Sequence, residues 1–152
     1  MHIILVEPVI PNNTGNISRT CSVTGSALHL VRPLGFSTDD AHLKRAGLDY
    51  WQYLDLHYWD SFEELRAAYP EGRFFFASTR AKHNYAEVEY RADDFLVFGK
   101  ETAGLPEELL AANEETCIRI PMAPEVRSLN LANSVAIVLY EALRQQGFPG
   151  LA

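Results

Sequence analysis

The chain reads as an α/β protein built on a mostly parallel sheet flanked by helices. Three observations predict this. Short β-branched or aromatic runs recur along the sequence, helical stretches fall between most of them, and two of the runs carry no polar face. Strands alternating with helices form parallel sheets. Runs that are apolar throughout, such as Phe74-Phe75-Phe76-Ala77 and Phe95-Leu96-Val97-Phe98, suit strands buried on both faces.

Taken in order, His2–Val6 is the first expected strand and Asn16–Val23 the first helix. Leu28–Arg32 is the second strand and Thr38–Ala46 the second helix. The aromatic segment from Tyr50-Trp51-Gln52-Tyr53 through Tyr58-Trp59 is unusual for a connection. It suits either cover over the sheet or a subunit interface, where aromatics are enriched. Ser61–Tyr69 opens with a Ser61/Glu64 capping box. Arg73–Ser78, Phe95–Phe98 and Cys117–Ile120 are strands, and Pro106–Ala112 is a helix with Pro in its first turn. A last helix follows, with Ala132, Val135, Ala136, Leu139, Tyr140 and Leu143 at the three-and-four spacing of one face. Ser128 or Asn130 caps its start, and Gly147 with Pro149 stops it.

Composition narrows the functional classes. At 152 residues and 47% hydrophobic content, a single domain over residues 1–152 is expected. No basic-then-apolar leader precedes the first strand, and the longest apolar run, Val135 to Tyr140, is far below the ~20 residues of a membrane span. A cytoplasmic protein without membrane association is the expectation. Cys21 and Cys117 lack CxxC spacing and read as reduced core thiols. A net charge of −7 argues against nonspecific coating of nucleic acid, which depends on phosphate neutralisation by many cations. Arg19, Lys44, Arg45, Arg80, Lys82, His83, Arg127 and Arg144 either gather into a local basic patch or remain scattered.

Three polar or glycine-bearing loops follow strands, on the side where open α/β sheets hold ligands. They are Pro11-Asn12-Asn13-Thr14-Gly15-Asn16-Ile17-Ser18-Arg19-Thr20, Phe98-Gly99-Lys100-Glu101-Thr102-Ala103-Gly104-Leu105-Pro106, and Ile120 to Asn133. Familiar sites fail on spacing. A P-loop needs Gly where Asp94 stands and Ser or Thr where Glu101 stands, and GxGxxG and GxSxG are absent. His2, His29, His42, His57 and His83 show no paired ligand spacing, so no metal is expected.

Together the loops resemble the three signature motifs of the SPOUT class, the trefoil-knotted RNA methyltransferases that use S-adenosylmethionine. Asn13-Thr14-Gly15-Asn16-x-x-Arg19 is similar to the first motif. Phe98-Gly99-x-Glu101-Thr102-x-Gly104-Leu105-Pro106 is similar to the second, and Ile120-Pro121-Met122 with Arg127-Ser128-Leu129-Asn130-Leu131-Ala132-Asn133 to the third. The likeness spans essentially the whole chain and is strongest to the minimal type that methylates the ribose of the tRNA wobble nucleotide, cytidine or carboxymethylaminomethyluridine. Lys100, where relatives often carry Pro, and the acidic balance are departures.

The resemblance implies a deep C-terminal trefoil knot, S-adenosyl-L-methionine as cofactor with S-adenosyl-L-homocysteine as product, tRNA as partner, and a homodimer. Each site would take Arg19 from one subunit and the cofactor loops from the other. Arg19, Glu101, Ser128 and Asn130 would be catalytic, while Ala77, Gly99, Ile120, Met122, Ser128 and Leu129 would hold the cofactor. Arg80, Lys82 and Arg127 would hold the anticodon backbone; Tyr140 would stack a base, although its phase also suits core packing. Ser128 and Asn130 orient substrate or cap a helix, and Glu101 fixes its loop or pairs with Arg19 or Arg127. The alternatives are methylation of another RNA, such as ribosomal RNA, or a noncatalytic RNA-binding dimer.

Overall fold

A computed structural model describes residues 1–37 and 48–152. The helix expected over Thr38–Ala46, together with His42, Lys44 and Arg45, lies outside the described residues.

Among the described residues seven strands form one sheet: β1 (His2–Val6), β2 (Ala27–Val31), β3 (Asp55–Trp59), β4 (Phe74–Ala77), β5 (His83–Asn84), β6 (Phe95–Phe98) and β7 (Cys117–Arg119). Their order is β3-β2-β1-β6-β4-β7-β5, and every strand pair is parallel. The chain builds outward from β1 through β2 to β3, then crosses to the other half of the sheet. There β6 enters between β1 and β4, and β7 between β4 and β5. Such a reversal of direction leaves a crevice at the carboxyl ends of the strands.

Both faces of the sheet are buried, as strands without a polar face require. Ile3, Leu5, Leu28, Leu30, Phe98 and Ile118 face two long helices, α1 (Pro11–Thr24), which contributes Ile17 and Cys21, and α4 (Leu131–Gln145). Ile4, Val6, Phe74, Phe76 and Val97 face α2 (Phe62–Ala68) and the residues that lead into α3 (Glu107–Ala112). Cys21 and Cys117 are free and buried; burial pushes the Cys21 thiol up to about 12, so it packs as a small apolar group.

Several expected boundaries move, each for a physical reason. Helix α1 begins at Pro11, not Asn16. Pro fits the first helical position because its missing N–H would be an orphan there. The aromatic segment divides. Leu48–Tyr53 is a 3₁₀ turn packed against α1, while Asp55–Trp59 is a full edge strand paired with β2. The Ser61 capping box forms, with Glu64 N–H donating to Ser61 Oγ at 3.1 Å, and the Glu64 carboxylate reaches one residue further back, to Asp60 N–H at 3.0 Å. On α4 the buried stripe is Val135, Val138, Leu139, Ala142 and Leu143, a regular three-and-four series. That phase turns Tyr140 outward; it is 43% exposed, so the core-packing option for it is corrected.

A row of imidazoles crosses β1, β2 and β3. His29 is fully buried, accepts from Trp59 Nε1–H at 2.9 Å through Nδ1, lies 3.0 Å from His2 Nδ1 through Nε2, and stacks on His57 with centroids 4.8 Å apart. Burial, reinforced by the two neighbouring imidazoles, holds its pKa down at about 3. Between pH 6.5 and pH 3 the unfolded chain therefore binds a proton at this site and the folded chain does not, so stability falls as pH falls. The expected loss between pH 6.5 and pH 5 is about 2 kcal/mol. Urea unfolding at the two pH values checks this, and equal midpoints would contradict it.

Candidate active site

The carboxyl ends of β6, β4 and β7 open into a cleft of about 530 Å³, within the range of small-molecule and cofactor sites. Its walls are the segment after β4 (Ala77 to Arg80), the loop after β6 (Gly99 to Leu105), Ile120, the stretch Arg127 to Leu131, and the first turn of α1 through Ile10 and Asn13.

The two glycines of the β6 loop are needed for different reasons. Gly104 adopts φ +71° with free space where a Cβ would stand, so it answers a backbone requirement. Gly99 answers a steric one: a Cβ there would fall within the backbone of Gly104 and Leu105. The turn is drawn shut by Gly104 N–H donating to the Lys100 carbonyl at 2.8 Å.

Glu101 reaches out of this loop to α1. Its Oε2 accepts from Val9 N–H at 2.9 Å and Ile10 N–H at 2.8 Å. Ile10 is the N-cap of α1 and supplies no side-chain cap of its own, so the carboxylate occupies the position that a helix amino end favours for negative charge. Of the options for Glu101, the geometry is that of a loop anchor. Asn130 ties the third loop to the same helix. Its Oδ1 caps α4 by accepting Asn133 N–H at 3.2 Å, and its Nδ2 donates to Asn13 Oδ1 at 3.2 Å. The cap of α4 is thus Asn130, not Ser128, which stands exposed on the cleft wall.

Among the residues expected around a cofactor, Ala77, Gly99, Ile120, Ser128 and Leu129 all line the cleft, whereas Met122 stands outside its lining. The expected RNA-contacting residues separate. Arg80 and Arg127 line the cleft. Lys82 is drawn to Glu114 at 2.6 Å, and Tyr140 stands beside Phe148, with ring centroids 6.4 Å apart. Arg19 is exposed on α1 and donates from Nη2 to the Tyr50 hydroxyl at 2.9 Å. It does not line the cleft. It stands six positions beyond Asn13, which places it ~9 Å down the helix and ~120° round it.

Arg119 is the functional candidate that the sequence reading passed over. It is exposed, ends β7 and lines the cleft. Arg80 is held by Glu107 at 3.3 Å and Lys100 by Glu7 at 3.8 Å; among the described residues neither Arg119 nor Arg127 carries an ion pair. The available signal was a lone cation in the apolar run Cys117-Ile118-Arg119-Ile120. Arg119 and Arg127 therefore bring uncompensated positive charge to one place on a net acidic chain. Among the described residues no group of His, Cys, Asp or Glu is arranged to hold a metal ion.

Residues 1–140 match the model of the SpoU rRNA Methylase family. A Yersinia pestis protein named tRNA (cytidine(34)-2′-O)-methyltransferase is 47% identical over 99% of this chain and 96% of its own length. A solved structure reporting on the 2-OH methylation of C/U34 on tRNA superposes with a TM-score of 0.92 at 47% identity, covering 96% of this chain and 95% of that one. The SpoU methyltransferase AviRb of Streptomyces viridochromogenes, in complex with the cofactor AdoMet, superposes with a TM-score of 0.84 at 25% identity, covering 96% of this chain and 60% of AviRb.

Proposed function

We propose a reaction for this chain from one premise: it belongs to the SpoU rRNA Methylase family. It is an S-adenosylmethionine-dependent tRNA methyltransferase that acts on the ribose 2′-hydroxyl of the wobble nucleotide, cytidine or carboxymethylaminomethyluridine. The observation that carries the reading is the cleft itself. The loop after β6, the stretch before α4 and the first turn of α1 converge there, in a chain that matches a tRNA (cytidine(34)-2′-O)-methyltransferase almost end to end.

The residues fit the cofactor. The cleft is large enough, its glycine turn lets backbone approach closely, and exposed N–H and C=O groups at strand ends suit the adenine and methionine parts. Ala77, Gly99, Ile120, Ser128 and Leu129 would hold it. When bound, S-adenosylmethionine supplies an electrophilic methyl group, and S-adenosylhomocysteine is left. Arg19 orients the attacking hydroxyl or the adjacent phosphate and stabilises negative charge as it develops. A guanidinium cation has no acceptor lone pair, so the proton passes to a phosphate oxygen or water. Glu101 and Asn130 position α1 against the two cofactor loops, and Ser128 faces the substrate. Arg119 and Arg127, with Arg80, hold the RNA backbone.

Arg19 does not line the cleft of its own protomer, so we infer a homodimer in which the partner supplies it. Val23 on α1 and Ile137 and Tyr140 on α4 are exposed apolar groups on two helices that pack together, with exposed Phe148 just beyond the end of α4, a surface suited to a second copy. A Val23→Asp/Ile137→Asp variant should sediment as a folded monomer and lose transfer by about 100-fold or more; a fully active monomer would remove the dimer from the account. We also infer the trefoil knot, on the resemblance of the chain to the SPOUT class. No described helix is long and apolar enough to cross a membrane, and a cytoplasmic location follows from the tRNA substrate.

Transfer assays on tRNA and on ribosomal RNA, side by side, test the substrate class. Labelling of tRNA alone is expected. Labelling of ribosomal RNA alone would favour the reading in the family's name, and cofactor-dependent binding without labelling of either would favour a noncatalytic dimer.

A further inference from the structure

Arg19 stands on the exposed side of α1, yet its guanidinium is not free. It lies 4.4 Å from the centre of the Tyr50 ring, and Nη2 donates to the Tyr50 hydroxyl at 2.9 Å. Tyr50 is itself fixed to the same helix: Ser22, one turn beyond Arg19, donates from Oγ to the Tyr50 carbonyl at 2.9 Å. Both ends of Tyr50 are therefore referenced to the stretch of α1 that carries Arg19, and the 3₁₀ turn Leu48–Tyr53 packs against that helix.

The choice of partner has chemical content. A carboxylate would hold a guanidinium firmly, but it would also neutralise the charge that the cation must offer to a developing alkoxide or a phosphate. An aromatic face attracts a cation through its quadrupole and leaves the charge in place. Among the described residues Arg19 makes no ion pair, although the chain carries 20 acidic residues. A phenol oxygen takes one of five N–H donors and fixes the orientation of the planar fork, leaving the other donors for substrate.

We propose that Tyr50 is a positioning residue for Arg19 in the methyl-transfer reaction, holding the guanidinium plane by its ring and hydroxyl without quenching its charge. The proposal rests on the role given to Arg19 above. It requires no contact between Tyr50 and the reacting atoms, so its effect falls on the rate of transfer and not on cofactor affinity.

The test compares Tyr50→Leu, Tyr50→Met, Tyr50→Phe and Arg19→Ala by single-turnover methyl transfer to saturating tRNA and by calorimetric binding of S-adenosylhomocysteine. Tyr50→Leu and Tyr50→Met, which fill space without a π face, should slow transfer by about 30-fold, with S-adenosylhomocysteine affinity unchanged. Tyr50→Phe keeps the ring and should stay within about threefold of the parent. If both ringless variants transfer within about twofold of the parent while Arg19→Ala is slow, the proposal fails and the role of Arg19 stands. If Arg19→Ala itself transfers at the parent rate, that role fails. Weakening of S-adenosylhomocysteine binding in step with the rate would make Tyr50 a structural residue and overturn the proposal.

Discussion

Arg19→Ala is expected to bind S-adenosylmethionine as the parent does and to transfer the methyl group about 10²–10³-fold more slowly, the loss typical of removing one preorganised donor from developing negative charge. Cofactor binding should survive because Arg19 lies outside the cleft lining and is held by Tyr50. Arg19→Lys keeps the charge but not the planar fork, so its loss should be smaller and still clear. Near-full transfer by Arg19→Lys would show that a point charge suffices. Parent-like transfer by Arg19→Ala would remove Arg19 from the chemistry.

The second large effect is Gly99→Ala. Its Cβ would meet the backbone of Gly104 and Leu105, atoms that no rotamer change can move aside. The loop must open, breaking the turn held by Gly104 N–H on the Lys100 carbonyl and pulling Glu101 from Val9 and Ile10. S-adenosylhomocysteine affinity should fall by about 100-fold or more, since a displacement near 1 Å in a positioned site has effects of that order. Gly104→Ala is the control. Its Cβ meets nothing, and its cost is the left-handed backbone alone, about 1–2 kcal/mol, read as a lower unfolding midpoint with binding largely kept. Equal loss of binding in both variants would contradict the steric account.

The two inactive variants can be combined. If each site joins the cofactor loops of one subunit to Arg19 of the other, a mixed dimer of Arg19→Ala and Gly99→Ala holds one complete site. Random mixing should then restore about a quarter of the parent activity. If Arg19 serves its own cleft, every mixed site lacks one component and no activity returns.

What the sequence disclosed follows the range of the forces involved. The alternation of strands and helices, the doubly buried strands and the Ser61 cap rest on neighbouring residues, and all appear in the structure. The start of α1 was not legible, because the polar run Asn12-Asn13-Thr14-Gly15 reads as a loop and part of what holds the helix's amino end is Glu101, far along the chain. Strand β3 was hidden because its aromatics suit a cover segment as well as an edge strand; only pairing with β2 decides between them. The loops around the cleft were legible through motif resemblance. The links between them were not: Asn130 on Asn13, Glu101 on Ile10 and Tyr50 under Arg19 are long-range contacts that no local pattern encodes.

The most direct test supplies labelled S-adenosylmethionine to bulk tRNA lacking wobble ribose methylation, then maps the label by nuclease digestion. Label is expected in a 2′-O-methyl nucleotide at the wobble position of the anticodon. Label confined to any other nucleotide, or none at all with cofactor binding intact, would contradict the proposed reaction.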